Sequence, residues 1–241
     1  MKPVLIFRHV SCEGPGYLAD VLDANKIPRQ LVRIDEGMRV PSHAGEAGGL
    51  VFMGGPMSVN DELPWIQDEL ALIRDAHHRG IPVLGHCLGG QLISKALGGM
   101  VTRNPVTEIG WFPMECAGTT PGTGWLQKIS FATECFHWHG ETFTLPAGAQ
   151  PLFKSRFCRN QGFVLGTTLA LQCHVEMQAG MVKEWLEYYK DDIPAPSPSV
   201  QSLEEMLRDI DRRIAALHAF ADMIYGVWLK GFAGPTGPSL S

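Results

Sequence analysis

The amino-acid sequence predicts an α/β protein with a mostly parallel open sheet, flanked by helices, and an antiparallel extension of that sheet. Short apolar runs typical of buried strands alternate with segments of helical apolar spacing, which predicts βαβ units. Residues from about 101 to 171 are richer in glycine, threonine and aromatic residues, with short strand-like pieces such as 162–165. This change of character predicts the antiparallel part.

The elements of the parallel part follow one another in a regular order. Strands are predicted at 4–7, 31–34, 49–53 and 81–84, and helices at 17–26, 65–79, 88–97 and 181–189. In the first helix Leu18, Val21 and Leu22 have the spacing of a single buried face. Gly80 is placed to end the second helix, because glycine readily adopts the backbone conformation that terminates a helix.

The C-terminal part is predicted to be one long amphipathic helix within residues 200–228. Residues 202–205 read Ser-Leu-Glu-Glu, a capping-box pattern, and apolar residues continue at helical spacing to Trp228. We expect this helix to pack on its own domain, with a partner-binding surface as the alternative. The chain is therefore predicted to form one domain over residues 1–230, followed by a disordered tail over 231–241 that contains two Gly-Pro pairs.

Composition and charge exclude several classes of protein. Hydrophobic residues make up 45% of the 241 residues, charged residues make up 19%, and the formal net charge is −5. We expect no nucleic-acid partner, because there is no Lys/Arg-rich run, and no membrane partner, because no apolar stretch could span a bilayer. The first apolar run ends at Arg8 and is not a signal peptide. Six cysteines without a C-x-x-C pair fit a reducing compartment, which predicts a cytoplasmic protein.

Residues 85–91, Gly-His-Cys-Leu-Gly-Gly-Gln, carry the most specific signal in the sequence. They lie between a predicted strand and a predicted helix, where a G-x-nucleophile-x-G pattern forms a nucleophile elbow. Gly85 and Gly89 are small enough to permit the strained turn at Cys87. The start of the following helix also favours a thiolate. The alternative is a buried cysteine in a glycine-rich turn.

Two other strand ends could supply the groups that a cysteine nucleophile needs. Residues 169–176 read as a strand with a polar end, on which His174 and Glu176 would face the same side as base and orienting carboxylate. The Gly-Gly-Pro at 54–56 leaves backbone N–H groups that could bind an oxyanion, although a plain tight turn is the alternative. All three segments lie at carboxyl ends of strands, where open α/β sheets bind ligands.

The order G-G-P, G-x-C-x-G-x-Q and Q-x-H-x-E resembles that of the class I (triad) glutamine amidotransferase family. The branch it resembles contains stand-alone proteins related to the glutaminase domain of GMP synthase, to which segments 108–111 and 137–141 are also similar. The resemblance covers about residues 4–176 and implies a flavodoxin-like fold. Cys173 and Val175 stand where the family often has an aromatic residue and a proline.

The resemblance also implies roles for individual residues. They are the triad Cys87, His174 and Glu176, the oxyanion-hole backbone groups of Gly55 and Leu88, and the substrate-binding residues Gln91, His139 and Gly140. It implies hydrolysis of the glutamine side-chain amide through a γ-glutamyl thioester, with release of ammonia and without a cofactor.

Several alternatives remain open at this stage. The chain lacks a P-loop or S-G-G-x-D-type motif, so a separate synthetase subunit could accept the ammonia. The other readings are a free-standing hydrolase of γ-glutamyl peptides or amides, and a degenerate member that acts as a regulatory or binding module. His137 and His139 could bind a metal ion, but no third ligand is evident and we expect none. His86 is interpreted as structural and His9 as loop-edge packing.

Overall fold

The structure, a computed structural model, describes residues 1–117 and 133–233. Within these residues the strands are β1 (Val4–Arg8), β2 (Arg29–Arg33), β3 (Gly49–Phe52), β4 (Val83–His86), β5 (Val101–Cys116), β6 (Thr133–Phe143), β7 (Gln150–Ser155), β8 (Gly162–Leu165) and β9 (Thr168–Leu171). The α-helices are α1 (Tyr17–Ala24), α2 (Pro64–His78), α3 (Leu88–Ala96), α4 (Ala179–Tyr188), α5 (Leu203–Leu207) and α6 (Ile210–Trp228). Short 3₁₀ segments lie at Ile34–Glu36 and Leu229–Ala233.

All the described strands belong to one sheet in the order β2-β1-β3-β4-β9-β8-β7-β5-β6. The first five strands in this order pair in parallel. From β9 onward every pairing is antiparallel. The predicted parallel sheet with an antiparallel extension is therefore confirmed, and β9 is the strand at which the two parts join.

Helices cover both faces of the parallel part, which is why its central strands are mostly apolar, whereas the edge strand β2 is largely exposed. Strands β3, β4 and β9 are buried at every position. Helices α1, α4 and α6 pack on one face in one hydrophobic core. Helices α2 and α3 pack on the other face in a second core. The result is a three-layer arrangement that leaves the carboxyl ends of the parallel strands on one edge.

The parallel strands all differ somewhat from their predicted bounds, and the differences in β4 and β9 affect the site. Strand β4 begins at Val83, after Pro82, which has no N–H to donate to a neighbouring strand. It continues to His86 because His86 still pairs with Leu171 of β9. Strand β9 ends at Leu171, so the predicted strand over 169–176 is too long, and His174 keeps only an isolated bridge to Phe136.

The prediction of one long C-terminal helix is wrong. The capping box at Ser202 is present, with the Ser202 hydroxyl accepting from the Glu205 N–H at 3.2 Å. Helix α5 ends at Leu207, however, and Asp209 adopts a left-handed conformation with φ of 52°. Aspartate tolerates this conformation better than most residues, so it separates α5 from α6. Leu203 and Leu207, assigned to the buried stripe, are 48% and 39% exposed.

Helix α6 packs against its own sheet and buries a row of large side chains that ends at Trp228. Of the predicted tail, the first residues belong to the 3₁₀ segment Leu229–Ala233. Residues 234–241 lie outside the described residues. In the ranges that the structure describes, no helix combines the length and the apolar character needed to cross a membrane.

Candidate active site

Cys87 stands on a sharp turn between β4 and α3. Its backbone has φ of 49° and ψ of −107°, a conformation that L-residues other than glycine rarely adopt. A side chain on Gly85 would overlap the backbone of Gly89, and one on Gly89 would overlap the Phe52 carbonyl group. The Cys87 N–H donates to the Leu171 carbonyl at 2.9 Å. The strand, turn and helix of a nucleophile elbow are therefore present, and the turn is bonded to β9.

His174 and Glu176 form a buried pair, each about 1% exposed. The distance between His174 Nδ1 and Glu176 Oε1 is 2.7 Å. The other carboxylate oxygen of Glu176 lies 3.6 Å from His86 Nε2, which is also 3.0 Å from the Tyr225 hydroxyl. Burial lowers the pKa of His86, so its neutral ring packs behind the pair.

The His174 ring shares a cavity with the Cys87 thiol. Burial alone would lower the pKa of His174, but the Glu176 carboxylate and the neighbouring Cys87 raise it well above its ordinary value. His174 Nε2 makes no hydrogen bond of normal geometry to any residue in the described ranges. The Cys87 Sγ is 3.6 Å from the Trp138 carbonyl oxygen and 3.5 Å from Gln172 Nε2.

A cavity of about 910 Å³ opens in front of the sulfur atom. Among the residues singled out in the sequence, those that line it are Gly55, Cys87, Gln91, His139, Gly140 and His174. Glu176 is buried behind His174. Leu88 is also buried, with its side chain packed against Gly55.

The backbone N–H groups of Gly55 and Leu88 are available at this edge of the sheet. Among the described residues, no hydrogen-bond acceptor is found for either group. Leu88 is the first residue of α3, where N–H groups have no partner within the helix. A side chain at Gly54 would overlap the Glu13 carboxylate and displace it.

The predicted substrate-binding residues lie in two different elements, Gln91 in α3 and His139 and Gly140 in β6. Gln91 is buried, and its Nε2 lies 3.3 Å from Gln172 Oε1. His139 and Gly140 lie within β6, although the family resemblance suggested that they form a turn near the substrate. Both ring nitrogens of His139 are occupied, Nε2 at 3.0 Å from Glu108 Oε2 and Nδ1 at 2.9 Å from the Glu141 carbonyl.

The sequence reasoning missed Glu13, a buried acid in the wall of the cavity. Its Oε1 accepts a hydrogen bond from the Tyr189 hydroxyl at 2.6 Å. Burial raises the pKa of Glu13, although the charge of His174 opposes this effect. No motif marks the residue, but it lies in the loop after β1, at the same edge of the sheet as Cys87, and that position could have identified it.

His9 packs against the loop at Gly54 and does not line the cavity. This agrees with its interpretation as a packing residue. Its Nδ1 lies 3.1 Å from the Met53 carbonyl, and its Nε2 lies 3.1 Å from Glu69. Burial disfavours the charged ring, but the Glu69 carboxylate outweighs this effect and raises the pKa of His9.

A third ionisable cluster lies in the antiparallel part, where Glu108 joins His137 and His139. All three side chains are buried, and one potential ligand atom of each lies within 4.8 Å of the others. Burial lowers the pKa of His137 to about 4. The third potential metal ligand that the sequence did not reveal is therefore Glu108, brought opposite His139 by the pairing of β5 with β6.

Comparison with known proteins identifies the family to which the chain is related. Residues 17–187, more than half of the chain, match the family described as Glutamine amidotransferase class-I. The chain is 29% identical over 167 residues to the glutamine amidotransferase-like protein YfeJ of Salmonella typhimurium, covering 67% of this chain and 70% of that protein. It is 33% identical over 111 residues to the glutamine-hydrolysing GMP synthase of Lactobacillus gasseri, a match that spans 46% of this chain but only 20% of that synthase.

Solved structures of glutamine amidotransferases share the fold over all or nearly all of this chain. A glutamine amidotransferase from Methylobacillus flagellatus superposes with a TM-score of 0.91 at 42% identity, covering 100% of this chain and 99% of that one. A second, from Thermotoga maritima, superposes with a TM-score of 0.84 at 29% identity, covering 95% and 98% of the two chains. The family match, the shared fold and the cysteine elbow agree: this chain belongs to the class I glutamine amidotransferase family.

Proposed function

We propose that this protein hydrolyses the side-chain amide of glutamine through a Cys87-His174-Glu176 triad. The observation that carries the proposal is the buried His174–Glu176 pair, joined at 2.7 Å, whose ring shares a cavity with a cysteine on a strained turn. A nucleophile, a base and a carboxylate that orients the base are the three parts that covalent amide hydrolysis requires. The family relationship supports the choice of glutamine as substrate.

In the proposed reaction the Cys87 thiolate attacks the side-chain carbonyl carbon of glutamine. The oxygen becomes an oxyanion that accepts hydrogen bonds from the N–H groups of Gly55 and Leu88, each worth roughly a hundredfold in rate or more. Protonated His174 then gives its Nε2 proton to the departing nitrogen, which leaves as ammonia. The remaining γ-glutamyl thioester is attacked by water, which His174 deprotonates, and glutamate is released with the thiol restored.

Other residues of the cavity have supporting roles in this proposal. Gln172, at 3.5 Å from the sulfur, donates to the developing thiolate. Glu13 places a second carboxylate near the imidazolium of His174. Because both ring nitrogens of His139 are occupied, the contact of the 139–140 segment with the substrate is expected to involve the backbone.

Replacement of the nucleophile tests the proposal. We expect Cys87→Ala to reduce glutamate release from glutamine by roughly 10⁴-fold or more, because the covalent route is lost. The variant should also fail to react with an electrophilic glutamine analogue, as followed by mass spectrometry of the intact protein. Cys116→Ser, which removes an exposed thiol far along β5, is the matched control and should behave like the unmodified protein.

The same experiment separates the enzyme from a non-enzymatic module. Persistent glutamine hydrolysis or persistent labelling of the site in Cys87→Ala would show that the mechanism is wrong. An unmodified protein that neither hydrolyses glutamine nor reacts with thiol reagents near neutral pH would instead favour a regulatory or binding module.

A second candidate substrate class is γ-glutamyl peptides or amides. The cavity of about 910 Å³ lies near the upper end of the range for pockets that hold drug-sized ligands, so glutamine would fill only part of it. Asn104, Val106 and Thr107 of the irregular stretch of β5 extend its wall away from Cys87. A kcat/KM higher for γ-glutamyl dipeptides than for glutamine would support this alternative.

The ammonia released from glutamine would need an acceptor if the protein works with a separate synthetase. The relationship to a glutamine-hydrolysing GMP synthase makes such a partner a reasonable proposal. Glutamine hydrolysis that accelerates when cell extract is added would support it. Full activity of the purified protein alone would favour a free-standing hydrolase.

A further inference from the structure

The buried cluster in the antiparallel part has the geometry of a metal site. Glu108 lies directly opposite His139 in the β5–β6 ladder, and His137 lies opposite Gly110, two residues further along the same face. The Glu108 Oε2 atom is 3.0 Å from His139 Nε2 and 3.8 Å from His137 Nδ1. One carboxylate and two imidazoles thus converge on a single point inside the protein.

Several polar atoms around this point have no partner. Among the described residues, neither ring nitrogen of His137 makes a hydrogen bond of normal geometry, and the same holds for Glu108 Oε1 and Gln161 Oε1. The Phe112 carbonyl lies close enough to His137 to act on its ring. Because buried polar atoms are almost always paired, this group of atoms indicates that something binds there.

The hydrogen bond of His139 leaves its other ring nitrogen available as a metal ligand. The Glu141 carbonyl can only accept, so His139 Nδ1, at 2.9 Å, carries a hydrogen. In a neutral ring, His139 Nε2 then presents a lone pair 3.0 Å from the Glu108 carboxylate. The Gln161 Nε2 group, 3.3 Å from His139 Nε2 and 2.8 Å from Glu108 Oε2, can donate to both acceptors, but within the described residues it satisfies neither ring nitrogen of His137.

We propose that Glu108, His137 and His139 bind a divalent transition-metal ion of the type of Zn²⁺ in a buried site. Two histidines and one glutamate form a known zinc ligand set, with the fourth position open to water or to the Gln161 amide oxygen. The surroundings also fit: the second nitrogen of His139 bonds a backbone carbonyl, and Gln161 Nε2 bonds Glu108 at 2.8 Å. The ion would join β5 to β6 and take no part in the cysteine chemistry.

Zinc binding to the full chain tests this proposal. The measurement uses a Cys87→Ala background, so that the active-site thiol does not bind the metal. After treatment with a chelator, the protein is titrated with ZnCl₂ by calorimetry, and its metal content is counted after gel filtration. We expect one equivalent of bound zinc, and a melting temperature higher by roughly 5–10 °C at a zinc concentration a hundredfold above Kd.

The variant His137→Gln, in the same background, is expected to bind zinc at least roughly a hundredfold more weakly, because it removes a ligand. His78→Gln, at an exposed position on α2, is the matched control and should bind as the background does. If His137→Gln does not fold, zinc X-ray absorption of the background protein decides, with two imidazoles and oxygen ligands expected. Absence of stoichiometric binding, equal affinity in both variants, or sulfur ligation would overturn the proposal.

Discussion

The charge of the His174 ring depends on one neighbouring carboxylate. The ring is fully buried, and burial disfavours the imidazolium form. The Glu176 carboxylate, at 2.7 Å, reverses this effect and raises the pKa of His174 well above its ordinary value. Glu176 therefore holds the His174 ring in position and favours its protonated form beside Cys87.

Substitution of that carboxylate should be visible in the pH dependence of the reaction. Glu176→Gln keeps the size of the side chain but removes its negative charge, so the pKa of His174 should fall. The alkaline limb of the pH profile of kcat/KM should then move to lower pH, and kcat should drop by roughly 10²–10⁴-fold. Steady-state glutamate release measured across the pH range is the test.

A matched control is Glu184→Gln, which removes an exposed carboxylate from α4. It should change neither the position of the limb nor kcat. An alkaline limb that stays in place in Glu176→Gln would show that His174 does not set it.

Some residues that line or support the cavity could be proposed from the sequence, and others could not. Cys87, His174 and Glu176 could be proposed from the sequence because each belongs to a short motif with a chemical meaning, and the structure brings their side chains close together. Glu13 was missed because its role depends on Tyr189, far away in the chain, and on burial. Glu108 was missed as a possible ligand because only the pairing of β5 with β6 brings it opposite His139.

At the scale of elements, the elbow depends on the absence of side chains at its glycines. Gly89→Ala would place a methyl group in the Phe52 carbonyl, which belongs to the neighbouring strand β3. We expect this variant to lose roughly 1–3 kcal/mol or more of its free energy of unfolding, because backbone atoms must move. Urea denaturation followed by circular dichroism measures the loss.

Gly226→Ala provides the comparison within the same chain. Gly226 lies inside α6 with open space where a side chain would begin. Alanine there should stabilise the protein by roughly 0.5–1 kcal/mol, because glycine is a poor helix former. Equal effects of the two substitutions would contradict the steric explanation of the elbow.

Local sequence patterns correctly predicted where the C-terminal helical region begins. They did not predict that the region is divided into the two helices α5 and α6. The capping box at Ser202 is a short-range signal and was correct. The break at Asp209 lies in a sequence with good helical spacing on both sides. Asp209 adopts a left-handed conformation at the break, and α6 then packs against the sheet and buries Ile214 and Leu217. Apolar spacing alone does not reveal such a break.

For the whole molecule, the two halves of the sheet differed in how well they could be predicted. The central parallel strands β3, β4 and β9 are buried at every position and appear as short, mostly apolar runs. Strand β5 instead extends from Val101 to Cys116, with an irregular register between Arg103 and Glu108. Its exposed and buried positions do not alternate regularly, so only the general character of this region could be predicted.

The pH dependence of the stability of the whole molecule should reflect the buried pair of His9 and Glu69. The pKa of His9 is higher in the folded protein than in the unfolded chain, where it is near 6.5. The resulting stabilisation is fully present below about pH 6.5 and is lost as pH rises through the pKa in the folded protein.

The double variant His9→Gln/Glu69→Gln replaces this pair with uncharged groups. Its free energy of unfolding should vary less from about pH 6.5 upward than that of the unmodified protein. Chemical denaturation at a series of pH values measures the difference, with His78→Gln as an exposed control. A pH dependence identical to that of the control would refute the assignment.

The hydrogen bond from the Cys87 N–H to the Leu171 carbonyl joins the turn at Cys87 to β9 in the middle of the sheet, and His174 follows that strand three residues later. In the proposed mechanism, activity therefore depends directly on the integrity of the central strands. We expect heating to abolish glutamine hydrolysis only at the temperature at which the protein unfolds. There should be no earlier stage in which the fold is intact but the active site is disordered.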